Sequence, residues 1–357
     1  MNNERNFGLD LIRFIAIILV VIVHSSFFLN QNFINSIYII DGVDLFFVLS
    51  GFLIGKIIIN NIIVKNKIEF KDVKSFLIRR WLRTIPNYVL FLIINIVLIY
   101  FNLIDGFLNK YLITYFIFFQ NLYKPYDFLF WESWSLCVEE WFYLTFPILI
   151  YIINKFNKNN LKLTFIFSIF IFITIPLLLR ISKIEYNINH SHFDLFFRKI
   201  VILRLDTIGF GILGAYFSHY YKQILFNNKL IFLVIGLFGI LYLNYSKFPI
   251  EFEETFKFSL SSFFIVLLFP YFENISKNNP LNKPITFISK ISFSIYLIHM
   301  PLLKLFSKIN IYSNNYYYIL MYLTFIVSLL ILSYICFRYY ESYFLKLRDR
   351  FFKKNGN

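Results

Sequence analysis

The chain has 357 residues, of which 59% are hydrophobic and 22% aromatic, and its mean hydropathy is +0.65. A soluble protein of this length could not bury so much apolar surface, so the composition excludes the soluble classes and predicts an all-α polytopic membrane protein. The formal net charge of +15 would suit nucleic acid. Because the lysines and arginines follow the pattern of membrane topology instead, we expect no nucleic-acid partner.

The first membrane segment, residues 8–28, contains the ionisable side chains Asp10, Arg13 and His24. Ionisable groups inside a membrane helix are costly, so each is a candidate functional residue. Arg13 and His24 are eleven positions apart, which places them on one helix face about 16 Å apart along the axis. Asp10 is three positions from Arg13 and can pair with it. The alternative is an ion pair that anchors the helix end and a histidine buried for packing.

Ten apolar runs are long enough to span a bilayer, and a shorter run, 111–122, suits a re-entrant or interfacial helix within an external segment, 105–133. With a cytoplasmic N-terminus, 21 of the 35 lysines and arginines fall on the inner side, as the positive-inside rule expects. We therefore predict about ten transmembrane helices, cytoplasmic termini, one transmembrane domain over 1–345 and a basic cytoplasmic tail over 346–357. The predicted spans are 8–29, 42–64, 84–104, 134–154, 161–180, 199–221, 230–245, 256–272, 288–306 and 315–338.

The second span begins with the sequence GVDLFFVLSGFLIG, which places Asp44 at its outer end. A carboxylate at a helix N-terminus is stabilised by the helix dipole. This end of the span is level with His24, so Asp44 is a candidate carboxylate partner for that imidazole. Ser50, Gly51 and Gly55 are small residues that favour close helix packing.

The densest basic stretch precedes the third span and contains Arg79, Arg80, Trp81 and Arg83. Arg80 and Arg83 are three positions apart and so share a helix face. Guanidinium groups bind phosphates in bidentate fashion, and an indole can stack on a nucleobase. The cluster therefore suits a nucleotide-bearing donor such as coenzyme A, although an anionic lipid surface would also attract its charge.

The fourth span begins with the sequence WSLCVEEWFYLTFP, which contains Ser135, Glu139 and Glu140. Ser135 can cap the helix, and both glutamates then lie about one turn inside the outer membrane boundary. Adjacent helical side chains point about 100° apart, so at most one of these carboxylates can face a central cavity squarely. A carboxylate at that depth is either ion-paired or protonated, and either state suits proton transfer.

Later spans add three candidates. Arg204 and Asp206 in the sixth span can form a buried ion pair, which would serve either a site or a structural clasp. His299 lies in the outer half of the ninth span, where a packing role is equally open. The sequence alone does not choose between these roles.

The external loop between the fifth and sixth spans carries His190, His192 and Asp194 and could be mistaken for a metal site. Zinc sites in proteins are completed by a fourth ligand. Three candidate ligands in one short loop do not supply that set, so we expect no metal.

The order of these blocks resembles the acyltransferase-3 family of integral-membrane O-acyltransferases. Arg13 followed by ten residues and His24 resembles the opening signature of that family, and GVDLFFVLSGFLIG is similar to its second signature block. Arg80 and Arg83 match the Arg-x-x-Arg element of the family, which is implicated in handling acyl-coenzyme A.

The fourth-span block is similar to the family signature WSL-x-VE-x-x-FY, which begins here at Trp134 and ends at Tyr143. The first glutamate of that signature matches Glu139, so the resemblance favours Glu139 over Glu140. Two later elements, RLDTIGFGILGA and FSIYLIH-x-P, are also similar to family elements. These elements contribute Arg204, Asp206 and His299.

The resemblance implies transfer of an acyl group, usually acetyl, from coenzyme A to a hydroxyl of a cell-envelope glycan such as O-antigen, capsule or exopolysaccharide. It therefore implies acetyl-coenzyme A as the acyl donor, and a glycan or a small molecule as the acceptor. It also implies a multi-pass protein in the cytoplasmic (inner) membrane of a bacterium, with membrane lipid around it.

These residues permit a mechanism. The unperturbed pKa of a histidine, about 6.5, suits His24 to act as general base on the acceptor hydroxyl. Glu139 or Asp44 would orient or recharge that imidazole, and Arg13, paired with Asp10, would stabilise the donor. Direct transfer and an acyl-enzyme are both open.

A transporter or flippase of a glycan or lipid-linked sugar is the alternative function. Buried charge pairs and a basic inner surface would be expected there too. The chain lacks the matched halves with interrupted helices that are typical of alternating access. The acyltransferase hypothesis is therefore favoured.

Overall fold

The structure is a computed structural model that describes residues 5–29, 40–64, 68–125, 129–156, 160–184, 193–275, 281–309 and 315–354. Within these ranges the regular structure is helical and no residue is in a β-strand, as the composition predicts. The α-helices are α1 (Phe7–His24), α2 (Gly42–Ile58), α3 (Phe70–Tyr100), α4 (Leu112–Phe116), α5 (Ser133–Phe156), α6 (Leu161–Ser182), α7 (Leu205–Tyr220), α8 (Lys222–Asn227), α9 (Lys229–Tyr245), α10 (Ile250–Thr255), α11 (Lys257–Phe272), α12 (Asn282–Ser307), α13 (Asn315–Ile335) and α14 (Ser342–Lys354). Turns of 3₁₀-helix cover Ser25–Phe27 and Val201–Leu203, and π-helical turns cover Ile59–Ile63, Asp194–Arg198 and Cys336–Glu341.

Seven helical segments of the described chain are long and apolar enough to cross a membrane. They are α1, α2 with its π-helical continuation to Ile63, α3, α5, α6, α12 and the final segment Tyr317–Phe352. Two further apolar helices, α9 and α11, are shorter, and α7 has 16 residues. The predicted total of ten spans and the side on which the termini lie stay predictions, and the predicted tail boundary at residue 346 falls inside α14.

The third span is longer than predicted. The sequence places its start at residue 84, whereas α3 runs without interruption from Phe70 to Tyr100. At 1.5 Å per residue this helix is about 46 Å long, which exceeds the hydrocarbon thickness of about 30 Å. The basic stretch therefore forms the first half of the same helix, so that its arginines are held rigidly against the bundle.

The segment 111–122 folds back against α5. Only α4 within it is helical, and five residues are too short to span a bilayer. Phe118 adopts a left-handed backbone conformation with φ of 58°, and its carbonyl accepts from Trp141 Nε1 and Cys137 Sγ, both at 2.7 Å. The buried Asn121 side chain donates to the Lys199 carbonyl at 2.6 Å. This segment therefore fixes the first half of α5, which carries the glutamates.

Two pairs of helices that are distant in sequence run in the same direction. Arg13 on α1 contacts Ser289 on α12, and His24 at the end of α1 contacts His299 further along α12. Gly51 on α2 packs against Ile208 and Gly211 on α7, and Gly55 further along α2 packs against Ala215. These two parallel pairs place the chemically reactive side chains of α1, α2 and α12 around one space.

The predicted ion pair between Arg204 and Asp206 is wrong. Arg204 Nη2 instead donates to Asp44 on α2, and Asp206 accepts from Arg180 on α6 at 2.7 and 3.1 Å. Ser259 on α11 adds a hydrogen bond of 2.6 Å to Asp206. Residues two apart on a helix point away from each other, so each finds its partner on another helix.

We expect Gly51→Ala to lower the stability of the folded protein. A Cβ atom at Gly51 would lie 2.0 Å from the carbonyl oxygen of Ile208, so α2 and α7 must move apart. Overpacking of this kind costs about 1–3 kcal/mol. The measurement is the thermal unfolding midpoint of the purified protein in detergent micelles.

Gly209→Ala is the matched control, because the nearest atom to its Cβ would be in the Ile173 side chain, at 3.3 Å, and the Phe172 atoms lie at ordinary contact distances of 3.6 and 3.7 Å. Alanine also has the higher helix propensity, so this variant should unfold at or near the wild-type temperature. Equal midpoints for the two variants would contradict the close approach of α2 and α7.

Candidate active site

A cleft lies among α1, α2, α3, α5 and α12 and encloses about 800 Å³ of empty space, including the part open to solvent. Its charged residues are Arg13, Arg80, Arg83 and Glu139. The sequence predicts all four as site residues, and the structure brings them together from three helices. Three cations and one carboxylate leave the cleft with a positive surplus.

Arg13 reaches the cleft from an ion-pair network at the start of α1. Its Nη1 lies 3.4 Å from Asp10 Oδ1, so the predicted Asp10–Arg13 pair is present. Asp10 makes shorter hydrogen bonds to Arg5, at 2.7 and 2.9 Å, and to Ser289, at 2.8 Å. Asp10 is therefore neutralised mainly by Arg5, and the Arg13 guanidinium is left to face the cleft.

Arg80 and Arg83 face the cleft from one side of α3, as their spacing predicts. The guanidinium of Arg80 lies 5.7 Å from the ring centre of Tyr143. Among the described residues, neither arginine has a carboxylate oxygen within 4.0 Å. The pair is therefore available to an anion that enters the cleft.

The structure separates the other two residues of the basic stretch from the cleft. Arg79 lies over the ring of Phe352 on α14, at 4.0 Å, and is exposed. Trp81 is 38% exposed and its indole faces Glu140. Both were predicted as donor-binding residues, and their positions instead indicate contacts that hold α3 against α14 and α5.

Only one of the two adjacent glutamates faces the cleft. Glu139 lines it, next to Tyr143 and Ser50, whose hydroxyls lie 2.7 Å apart. Glu140 is buried on another side of α5 and accepts from Thr84 on α3 at 2.5 Å. The 100° offset between neighbouring helical residues explains this division.

Tyr296, which lines the cleft, is hydrogen-bonded through its carbonyl to the first of two neighbouring histidines. The Tyr296 hydroxyl bonds to Ser135 at 2.5 Å, and both residues line the cleft. The Tyr296 carbonyl lies 2.6 Å from Nδ1 of His299. His299 Nε2 in turn lies 3.0 Å from Nδ1 of His24. His24 is therefore linked to the lining residue Tyr296 through His299 and is not itself among the lining residues.

The predicted carboxylate partners of His24 are elsewhere. Asp44 is engaged by Arg204, and Glu139 faces Arg80 and Arg83. The His24 ring is instead hydrogen-bonded to His299. Asp44 therefore belongs to a structural ion pair in this fold, because the parallel register of α2 and α7 brings Arg204 to it.

An ion-pair cluster, defined by Asp41, Asp194, Arg198 and Lys199, lies next to His24. Burial alone would raise the pKa of Asp41, but Arg198 and the Val43 N–H hold this pKa below its ordinary value. Burial also acts to raise the pKa of Asp194, and the charges of Arg198 and Lys199 outweigh it and lower this pKa. The cluster connects the start of α2 to the segment before α7.

Sequence reasoning missed three residues of this region. Tyr296 precedes His299 by three positions, so its place on the same helix face was a usable signal. Arg198 and Arg180 gave no such signal, because their partners depend on tertiary contacts. Of the three residues considered as a metal site, Asp194 binds Arg198, while His190 and His192 lie outside the described residues. The described residues contain no group of three or more potential metal ligands.

We expect acid to weaken the ion-pair cluster. Both aspartates have folded-state pKa values below the ordinary value of about 3.9, so their stabilisation is present above that pH and is lost as the pH falls through the lower folded values. Arg198→Gln should lower the unfolding midpoint at pH 7 and reduce its further fall on acidification. The measurement is the unfolding midpoint from pH 7 to pH 3.

Arg348→Gln is the control, because Arg348 pairs with its neighbour Asp349 on the exposed α14. Surface pairs of this kind contribute little, so its pH profile should follow the wild type. A wild-type profile in Arg198→Gln would refute the stabilising role of the cluster.

A family model described as an acyltransferase domain matches residues 6–338. The Staphylococcus aureus (strain COL) protein named "Putative O-acetyltransferase SACOL0978" is 27% identical over 324 residues, which cover 83% of this chain and 50% of that protein. O-acetyltransferase OatA of S. aureus (strain NCTC 8325 / PS 47) is 28% identical over 341 residues, which cover 87% of this chain and 51% of OatA.

The chain thus spans about half the length of the curated relatives it matches. No solved structure matches it. The family model covers nearly all of the sequence, and the bundle has the apolar helices of a multi-pass membrane protein. The chain belongs to the acyltransferase-3 family.

Proposed function

We propose that this protein is a membrane O-acyltransferase that moves an acyl group, acetyl in the first instance, from acyl-coenzyme A to a hydroxyl of a cell-envelope glycan. The observation that carries the proposal is the row of polar groups through the bundle. Arg80, Arg83 and Tyr296 line the cleft, and successive hydrogen bonds connect Tyr296 to His299 and His299 to His24. The names of the relatives, which state O-acetyltransferase, support transfer to oxygen.

The cleft suits the phosphates of coenzyme A. Arg13, Arg80 and Arg83 line it together with one carboxylate, that of Glu139, so the lining carries a surplus of positive charge. Unbalanced charge inside a bundle costs free energy, and a bound anion restores the balance. Guanidinium groups also match phosphate in geometry. The two arginines of α3 would hold the phosphates, and Arg13 would contact the donor from α1.

His24 would act as general base. It takes the proton of the acceptor hydroxyl while that oxygen bonds to the thioester carbonyl carbon. His24 then returns the proton to the sulfur, which leaves as a thiol when the carbon–sulfur bond breaks. Ser135 and Tyr296 line the cleft, and their hydroxyls would donate hydrogen bonds to the developing oxyanion.

Helix directions support a ten-span topology. Two parallel helices that both cross a membrane must be separated by an odd number of other crossings. When α7, α9 and α11 are counted beside the seven longer segments, α1 and α12 meet this condition, and so do α2 and α7. The start of α1, the arginines of α3 and the tail from residue 346 then face the cytoplasm of a bacterium, where acyl-coenzyme A is available, and His24 lies toward the acceptor outside.

We expect His24→Ala to abolish acyl transfer without unfolding the protein. Loss of a general base lowers rates by about 10²–10⁴-fold, and the half-buried ring of His24 is not part of the apolar core. The assay measures labelled acetyl transferred from acetyl-coenzyme A to envelope glycan in isolated membranes. Unreduced transfer in this variant would end the proposal.

The same isolated membranes distinguish the alternative function from acyl transfer. A transporter or flippase would move a glycan without consuming acetyl-coenzyme A. Absence of transfer in the wild type, together with export of the glycan that depends on the gene, would replace the acyltransferase proposal. A comparison of ester-linked acyl groups on surface glycans with and without the gene completes the test.

We expect Arg80→Gln and Arg83→Gln each to raise the KM for acetyl-coenzyme A by about 10- to 100-fold, because a hydrogen bond to a charged group contributes about 1.5–3 kcal/mol. The value of kcat should change less, since neither side chain is near His24. Arg79→Gln removes the same charge from the same helix but outside the cleft, and should leave KM unchanged. A KM that rises equally in all three variants would indicate a general charge effect instead.

A further inference from the structure

The ring of His299 contacts the ring of His24 directly. The two residues are 275 positions apart in the chain, and their ring centres are 5.0 Å apart. Nε2 of His299 lies 3.0 Å from Nδ1 of His24, which is a hydrogen-bond distance. One of these two nitrogens must therefore carry the proton, and the other must accept it.

The second ring nitrogen of His299 determines which of the two facing nitrogens carries the proton. His299 Nδ1 lies 2.6 Å from the backbone carbonyl oxygen of Tyr296. A carbonyl oxygen can only accept a hydrogen bond, so Nδ1 of His299 carries a proton. A neutral imidazole has one N–H group, which leaves a lone pair on Nε2 of His299.

A doubly protonated His299 would donate from both ring nitrogens, and the surroundings of the ring oppose that state. The side chain is 1% exposed, and among the described residues no carboxylate forms an ion pair with it. A cation in such a place, without a paired anion, is costly. His299 is therefore neutral, and its one ring N–H, at Nδ1, donates to the Tyr296 carbonyl oxygen.

The proton between the two rings then belongs to His24. We propose that His299 is a positioning residue that holds His24 as the Nδ1–H tautomer and so leaves Nε2 of His24 as the base nitrogen for the acceptor hydroxyl. The role in catalysis rests on the proposed function of His24. The tautomer itself follows from the two hydrogen bonds alone.

The arrangement performs the task of the carboxylate in other histidine-based sites, which fixes the tautomer and the ring orientation. When Nε2 of His24 accepts a proton, its Nδ1–H continues to donate to His299, now as a charge-assisted hydrogen bond. Since His299 is itself oriented by the main chain of α12, the direction of the base nitrogen is set by the helix.

The first test reads the tautomer without any acyl donor. The chain contains five histidines, so ¹⁵N-histidine labelling of the full chain in lipid nanodiscs gives few resonances, which single substitutions assign. We expect His24 to show a protonated Nδ1 and an unprotonated Nε2. A protonated Nε2 on neutral His24 overturns the proposal, whatever the activity of the enzyme.

The second test uses two variants of His299. His299→Gln keeps an acceptor, because the amide oxygen can take the place of Nε2, and should preserve both the His24 tautomer and most of kcat. His299→Phe keeps the size of the ring and removes the acceptor. It should shift His24 away from the Nδ1–H tautomer and lower kcat by about 10²-fold, with the KM for acetyl-coenzyme A unchanged.

Thermal unfolding midpoints of both variants identify effects that come only from lost folding. If His299→Phe does not fold, the wild-type spectrum and His299→Gln still decide the question. An unchanged tautomer and kcat in a folded His299→Phe refute the proposal. A wild-type protein with the expected tautomer but no acyl transfer would instead refute the proposed function and leave the role of His299 in fixing the ring intact.

Discussion

The constraint on which this structure depends is that a charge among apolar helices needs a partner of opposite charge. Arg204 and Asp44 join α7 to α2, and Arg180 and Asp206 join α6 to α7, with side chains that are almost completely removed from solvent. These pairs determine which helices are neighbours. Breaking one would leave an unpaired charge inside the bundle, a cost of about 3–5 kcal/mol. Arg80 and Arg83 in the cleft are the contrasting case, since neither has a carboxylate oxygen within 4.0 Å among the described residues.

The parallel arrangement of α1 and α12 brings polar side chains of the two helices into contact at two levels. Arg13 and His24 lie on one face of α1, and α12 offers Ser289 to the first and His299 to the second. Between these contacts α12 presents Tyr296, which lines the cleft and binds His299 through its carbonyl. The arginine and the histidine are therefore held at two levels of one helix pair. Each level keeps its own hydrogen-bonding partners.

Local geometry was predictable from the sequence, and tertiary partners were not. The shared face of Arg13 and His24, and the choice of one glutamate at positions 139 and 140, follow from 100° per residue. The same rule cannot say that Asp44 meets Arg204 rather than His24, because that depends on the register of α2 against α7. Arg79 has the same chemistry as Arg80, yet its direction on α3 places it against α14. The helical class follows from composition, whereas the length of α3 does not, since basic residues extend a helix as readily as they end a span.

The contact between His24 and His299 also has a consequence for biogenesis. Its two members are separated by 275 positions, so His24 enters the membrane well before His299. A nascent chain that has inserted only its first helices therefore holds an imidazole without the neighbour that orients it. The His24 ring therefore gains this hydrogen bond only after α12 has inserted and docked against α1.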